Sequence, residues 1–388
     1  MTGAAMNMRY DESVTVRSHL KTLGIIDRLS LPGVTEFAIN RPYEGWTETG
    51  DGWERHELPN ASLEALMQFA PALAIYNKAK PHLSPAEPEK PVRLPDGERG
   101  QIVIPPACEP GTVSLTIRVP SSRRFTVQEL SAAGRFEGFR DVVRGGLAGG
   151  GGLTSGEIDI AAARAGSDGL DVSGATPVFN PARALNAYGL ASFQQEMLDA
   201  LAQRDVVRFL TLAILNRLNI VLVGGTGSGK TTLTKALADL IPIIPRDTRL
   251  ATIEDTHELP LPLHRNHVHL FYSESIPARR IVKATLRMKF DRVLLAELRG
   301  DETWDYLTLL NTGHQGGLTT VHANDSISTF ARIAQLVKQS PVGQTLPFDY
   351  IMREIRTTVD VVLFMENKYL TEIYFDPATK MRLLRGDA

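Results

Sequence analysis

The run Gly224-Gly-Thr-Gly-Ser-Gly-Lys230-Thr231-Thr232 constrains this chain more tightly than any other stretch. An apolar tetrapeptide, Ile220 to Val223, precedes it, and a helical pattern from Leu233 to Leu240 follows. Strand, glycine loop and helix in that order make a P-loop. Glycines let the backbone turn so that successive N–H groups point inward at a phosphate chain. The helix that follows brings its positive end to the same point. The pattern predicts that Gly225, Thr226, Gly227, Ser228, Gly229, Lys230, Thr231 and Thr232 bind nucleotide phosphates. Lys230 would reach the β- and γ-phosphates and the Thr231 hydroxyl would hold Mg²⁺, so the expected ligands are ATP and Mg²⁺.

A strand feeding a P-loop needs a sheet around it, and the residues that follow supply one. Strand patterns over 249–253, 268–271, 292–296 and 318–321 alternate with helical patterns over 277–288, 303–312 and 327–339. A helix over 349–357 and strands over 359–364 and 370–375 close the series. The alternation predicts an α/β domain over 193–388 with a largely parallel sheet. Upstream, helices over 14–29 and 63–76, strands over 35–39, 101–104 and 113–119, and a hairpin about residues 49–52 predict a smaller α+β domain over 1–143. Residues 80–91 are proline-rich and read as a loop. Between the domains, 144–192 opens with Gly145 to Gly152, interrupted only by Leu147 and Ala148, and reads as a flexible linker.

Bulk properties exclude several classes. The net charge is −2, which gives no electrostatic footprint for nucleic acid and no expectation of sequence-specific binding to it. The one cysteine, Cys108, leaves no disulfide framework and no cysteine zinc site within one chain, as expected in a reducing cytoplasm. Residues 1–13 lack the apolar core of a secretory signal, and no 18-residue apolar run exists to span a membrane.

Three further stretches fall where a P-loop enzyme needs them. Thr252-Ile-Glu-Asp-Thr-His-Glu258 follows a strand, and its carboxylates can orient a water for attack on a γ-phosphate. Asp291-Arg-Val-Leu-Leu-Ala-Glu297-Leu-Arg299 is an apolar strand ending in a carboxylate, the usual partner of Mg²⁺ or its waters. In Thr312-Gly-His314-Gln-Gly-Gly-Leu-Thr-Thr-Val-His322, a neutral imidazole at a strand end can bond a γ-phosphate oxygen and report its loss; His322 is the stronger candidate and His314 the weaker. His267 and His269 share one strand face, with no third metal ligand evident. Arg279, Arg280 and Arg287 are candidate arginine fingers in an oligomer.

With these stretches in order and spacing, the chain resembles the hexameric secretion, or traffic, ATPases, and within them the type IV secretion branch. The wording of Asn266-His-Val-His-Leu-Phe-Tyr272, of Leu286 to Gly300, of Leu94 to Arg99 and of Pro105 to Pro120 is close to that branch. The resemblance implies a RecA-type P-loop NTPase domain joined to the α+β domain by a long glycine-rich linker. It implies a homohexamer at the cytoplasmic face of the inner membrane, peripheral to it and docked on inner-membrane secretion components, that powers pilus assembly and substrate transfer. A nucleotide-gated docking platform and a pilus extension or retraction motor are the alternatives. Residue by residue, the resemblance implies that Glu258 is catalytic, Glu297 the metal-water glutamate and His322 the sensor. It implies that Arg118 reaches nucleotide phosphates and that Arg287 lies near the γ-phosphate.

Overall fold

The computed structural model describes residues 11–49, 52–119, 124–144, 189–242, 248–273 and 275–386. The chain divides into two compact units, Met1–Arg123 and Arg124–Ala388.

The first unit sets helices on an antiparallel sheet. Helix α1 (Val14–Thr22) and α2 (Ile25–Leu29) are separated at Gly24, whose φ of 74° breaks what the sequence presents as one helix. Strands β1 (Glu36–Ile39), β2 (Glu44–Thr49) and β3 (Gly52–Glu57) form a meander. Helix α3 (Leu63–Tyr76) starts where the Ser62 side chain accepts from the Ala65 N–H. Strands β4 (Glu89–Arg93), β5 (Arg99–Val103) and β6 (Ser114–Arg118) complete a sheet of order β3-β2-β1-β6-β5-β4. Part of the expected 80–91 loop is therefore strand β4. Pro91 hid it, and an edge strand tolerates a proline there. The core holds Leu20, Phe37, Phe69, Leu73, Ile102 and Ile117.

The second unit is a three-layer α/β fold. It begins with α4 (Val127–Ala132), closed by a capping box between Thr126 and Glu129, and β7 (Arg140–Asp141). After residues outside the description come α5 (Ser192–Ala202), α6 (Val206–Leu215), β8 (Ile220–Val223) and α7 (Lys230–Asp239). Next are β9 (Leu250–Glu254), β10 (His267–Phe271), α8 (Ala278–Thr285), β11 (Arg292–Leu295), α9 (Glu302–Asn311) and β12 (Leu318–Val321). The chain ends with α10 (Ser328–Val337), α11 (Pro341–Thr345), α12 (Phe348–Thr358), β13 (Val361–Glu366), β14 (Tyr369–Phe375) and α13 (Pro377–Arg385).

The sheet order is β10-β9-β11-β12-β8-β13-β14-β7. It is parallel from β10 through β13. β14 then runs antiparallel to β13, and β7 parallel to β14. The central strand shows why both faces must be covered. Ile220 and Leu222 enter one core, with Phe209 and Leu237, while Val221 and Val223 enter the other, with Tyr306 and Phe330.

Two further sequence readings change. Residues 124–143, assigned to the N-terminal domain, belong to the second unit, because α4 packs on α6 and α7 and β7 extends the large sheet. The sequence reading ends at the strand over 370–375, whereas helix α13 follows it, capped by Asp376 and opened by Pro377. Of the expected linker, residues 145–188 lie outside the described residues.

Candidate active site

Parallel strands point their carboxyl ends the same way, so loops far apart in the chain meet at one edge. The P-loop leaves β8, the acidic stretch leaves β9, Glu297 follows β11 and His322 follows β12. Since β9, β11, β12 and β8 are successive neighbours, the four stretches stand side by side in that order.

The P-loop has the backbone that phosphate binding demands. Gly224, Gly227 and Gly229 have φ of 142°, 72° and 99°, and a Cβ on Gly224 would collide with the Met365 carbonyl oxygen. The Lys230 ammonium donates to the carbonyls of Gly224 (2.7 Å) and Gly225 (2.6 Å), which holds it against the loop. Ser228 Oγ is buried without a partner, while Gly225, Thr226 and Gly227 are exposed. Thr231 and Thr232 are half-buried on the first turn of α7. A cationic side chain, an unsatisfied hydroxyl and a glycine cradle at a helix N-terminus fit a nucleotide phosphate chain.

Beside it lies a charge network. Glu297 Oε1 is 3.2 Å from His322 Nε2, and its Oε2 accepts from Arg299 Nη2 at 2.7 Å. Arg299 also reaches Asp255 Oδ2 at 2.7 Å, joining the β9 and β11 loops. Burial, with the Lys230 charge second, holds the His322 imidazole below its usual range, and Glu297 opposes the shift. The ring is therefore neutral near pH 7 and can both donate and accept. Glu302 shapes the loop after Glu297: its Oε1 accepts the N–H groups of Arg299 (2.7 Å) and Gly300 (2.9 Å).

The two glutamates of the acidic stretch differ. Glu254 is fully buried, and its Oε2 accepts the N–H groups of Glu258 (2.7 Å) and Leu259 (2.8 Å). Burial pushes its carboxyl upward, against hydrogen bonds from Thr252 and Leu259. Glu258 is half-buried on the loop that Glu254 pins. Sequence reasoning missed Glu254 and Arg299 as organisers. The signal for Arg299 was its place two residues after Glu297, which puts both side chains on one side of an extended stretch.

Two expected residues, His314 and Arg287, lie at the opposite edge of the sheet from the loop. His314 precedes β12, at the amino edge of the sheet, opposite the P-loop. Arg287 lies on the exposed turn between α8 and β11, next to Met288, whose carbonyl accepts from Arg249 at the start of β9. That too is the amino edge, so Arg287 does not approach the P-loop within the chain. Arg279 and Arg280, at the start of α8, lie toward the carboxyl edge instead. Arg279 is tied to Asp305 at 2.6 Å, and Arg280 is exposed. Arg118 ends β6 in the first unit.

A family model described as "Type II/IV secretion system protein" matches residues 183–366. The chain is 36% identical over 386 residues to the type IV secretion system protein VirB11 of Brucella abortus, covering 96% of this chain and 92% of that one. A crystal structure of the VirB11 ATPase from the Brucella suis type IV secretion system in complex with sulphate is 36% identical. That match covers 96% of this chain and 98% of that one, with a TM-score of 0.48. The pilus retraction motor PilT with bound ADP is similar in fold, with a TM-score of 0.53, 15% identity, and coverage of 94% of this chain and 86% of that one. With more than a third of residues identical across nearly its whole length, the chain belongs to the VirB11 family of type IV secretion ATPases.

Proposed function

We propose that this ATPase powers a bacterial type IV secretion machine as a homohexameric ring, peripheral to the cytoplasmic face of the inner membrane, that hydrolyses Mg-ATP at the carboxyl edge of its parallel sheet. The observation that carries this reading is the side-by-side placement of P-loop, His322, Glu297 and acidic loop, joined by the Glu297–His322 and Arg299–Asp255 pairs. No helix of the described residues is long and apolar enough to cross a membrane.

Each residue has a task set by its surroundings. Backbone N–H groups of 225–230 bind the phosphates, and Lys230 leaves its loop carbonyls for the β- and γ-phosphate oxygens. Thr231 and Glu297 would hold Mg²⁺, the latter partly through water, and the ion would supply neutralising charge to the phosphates. Glu258 polarises the attacking water, and Glu254 fixes the backbone from which it acts. His322, neutral and bonded to Glu297, can exchange that bond for a γ-phosphate oxygen and lose it on hydrolysis.

The test compares turnover and nucleotide binding in two variants. Glu258→Gln should lower turnover about a hundredfold or more with ATP binding retained, and Lys230→Ala should lose both. Full turnover in Glu258→Gln with normal binding would remove Glu258 from the mechanism.

A further inference from the structure

His269 and Glu254 reach one spot for a reason visible in the strand register. His269 on β10 pairs with Thr252 on β9, so the two side chains share a face. Glu254, two residues beyond Thr252, lies on that face as well. The chain then turns, and His257 comes back over the pair. Its ring centroid is 4.2 Å from that of His269, edge-on at 66°. Glu254 Oε1 lies 3.5 Å from His257 Nδ1 and 3.8 Å from His269 Nδ1. One ligand atom from each of the three residues lies within 4.8 Å of the others.

We propose that Glu254, His257 and His269 form a binding site for a divalent transition metal of the zinc type, separate from the Mg²⁺ of the nucleotide. Two imidazoles and one carboxylate are a zinc donor set that leaves a fourth position for water. Ligands of a tetrahedral zinc with bonds of about 2.0–2.1 Å stand about 3.3 Å apart, so the two glutamate–histidine separations need to close by a few tenths of an ångström and the imidazole pair by at most about 1.5 Å. Glu254 is fully buried and fixed by two backbone N–H groups on its other oxygen, so its Oε1 is a rigid ligand. Thr252 Oγ1 donates to that same Oε1 at 2.8 Å and touches His269 Nδ1 at 2.7 Å. On metal binding the His269 proton sits on Nε2, and Thr252 keeps its bond to the carboxylate as an outer-shell support. The His257 side chain is 45% exposed, which gives the ion a path in and the water a place. His267, the partner first suggested by the sequence, is not one of the three; its Nδ1 bonds the His264 carbonyl. The site adjoins the catalytic loop, because the carboxylate that would hold the metal also holds the Glu258 N–H.

The experiment is a titration of the nucleotide-free, full-length protein with cobalt(II), read by visible ligand-field absorption and competed with zinc. The wild type should take up a single ion with the intense bands of a four- or five-coordinate site, and zinc should bleach them. His257→Gln and His269→Gln should each weaken binding at least about tenfold, while His314→Gln, at the far edge of the sheet, should bind as wild type. Thermal unfolding and ATP binding would check that the variants are folded. If His269→Gln fails that check, the exposed His257 decides alone. Absence of these bands in the folded wild type at millimolar cobalt, or equal binding in wild type and His257→Gln, would overturn the assignment. Neither result touches the Glu258 and Lys230 test, which needs only ATP and Mg²⁺.

Discussion

Glu254 and Glu258 stand four residues apart and are divided by burial. The first is sealed and spends its oxygens on the loop; the second keeps a face toward water, where polarising a nucleophile is possible. Glu372 on β14 shows the same physics in a purely structural setting. Burial alone would raise its carboxyl, but the Ser326 N–H (3.0 Å) and hydroxyl (2.7 Å) and the Arg140 guanidinium outweigh that and hold it below the ordinary glutamate value of 4.5. A carboxyl lowered by folding stabilises the native state above its unfolded value, and the gain is lost as pH falls through the lowered value. Glu372→Gln should therefore cost about 1–3 kcal/mol at neutral pH, with the deficit shrinking below pH 4.5. Denaturant titrations of both proteins across that range would check this; a pH-independent deficit would contradict it.

At the scale of elements, Asn219 joins three strands at the amino edge of the sheet. Its Oδ1 accepts the N–H groups of Gly316 (2.9 Å) and Gly317 (3.2 Å) ahead of β12, and its Nδ2 donates to Thr358 O (2.8 Å) ahead of β13. Asn219→Ala leaves these buried groups unpaired and should cost about 3 kcal/mol, seen as a lower midpoint in chemical unfolding. Nucleotide affinity should change little, because the P-loop sits at the other end of β8. Gly317 adds a packing constraint at the same place. A Cβ there would stand 2.5 Å from Leu310 and 2.6 Å from the Tyr306 hydroxyl, so α9 approaches β12 only because the residue is glycine.

For the molecule as a whole, the ring reading makes activity a property of assembly. Turnover per subunit should rise with protein concentration in step with the hexamer seen by analytical ultracentrifugation. Constant turnover from dilute monomer to ring would contradict it. Much of this protein was legible beforehand because its chemistry is local in sequence. Strand, glycine loop, lysine and helix are contiguous at 220–240, and the acidic, Glu297 and histidine stretches each carry their polar residues at a strand end. Short-range periodicity also revealed the alternation of strands and helices. Spatial order was not legible, because long-range strand pairing leaves no mark in any one segment. β11 and β12 insert between β9 and β8, and that insertion seats His322 beside the P-loop, whereas His314 and Arg287, which precede β12 and β11, lie at the opposite edge. The same long-range packing moved residues 124–143 into the second unit and brought His257 over His269 and Glu254. The sequence by itself determined the candidate groups for the proposed chemistry, since the types and spacing of the P-loop and strand-end residues follow from phosphate binding. Only the tertiary structure decided which of them meet, since that depends on the order in which buried strands pair.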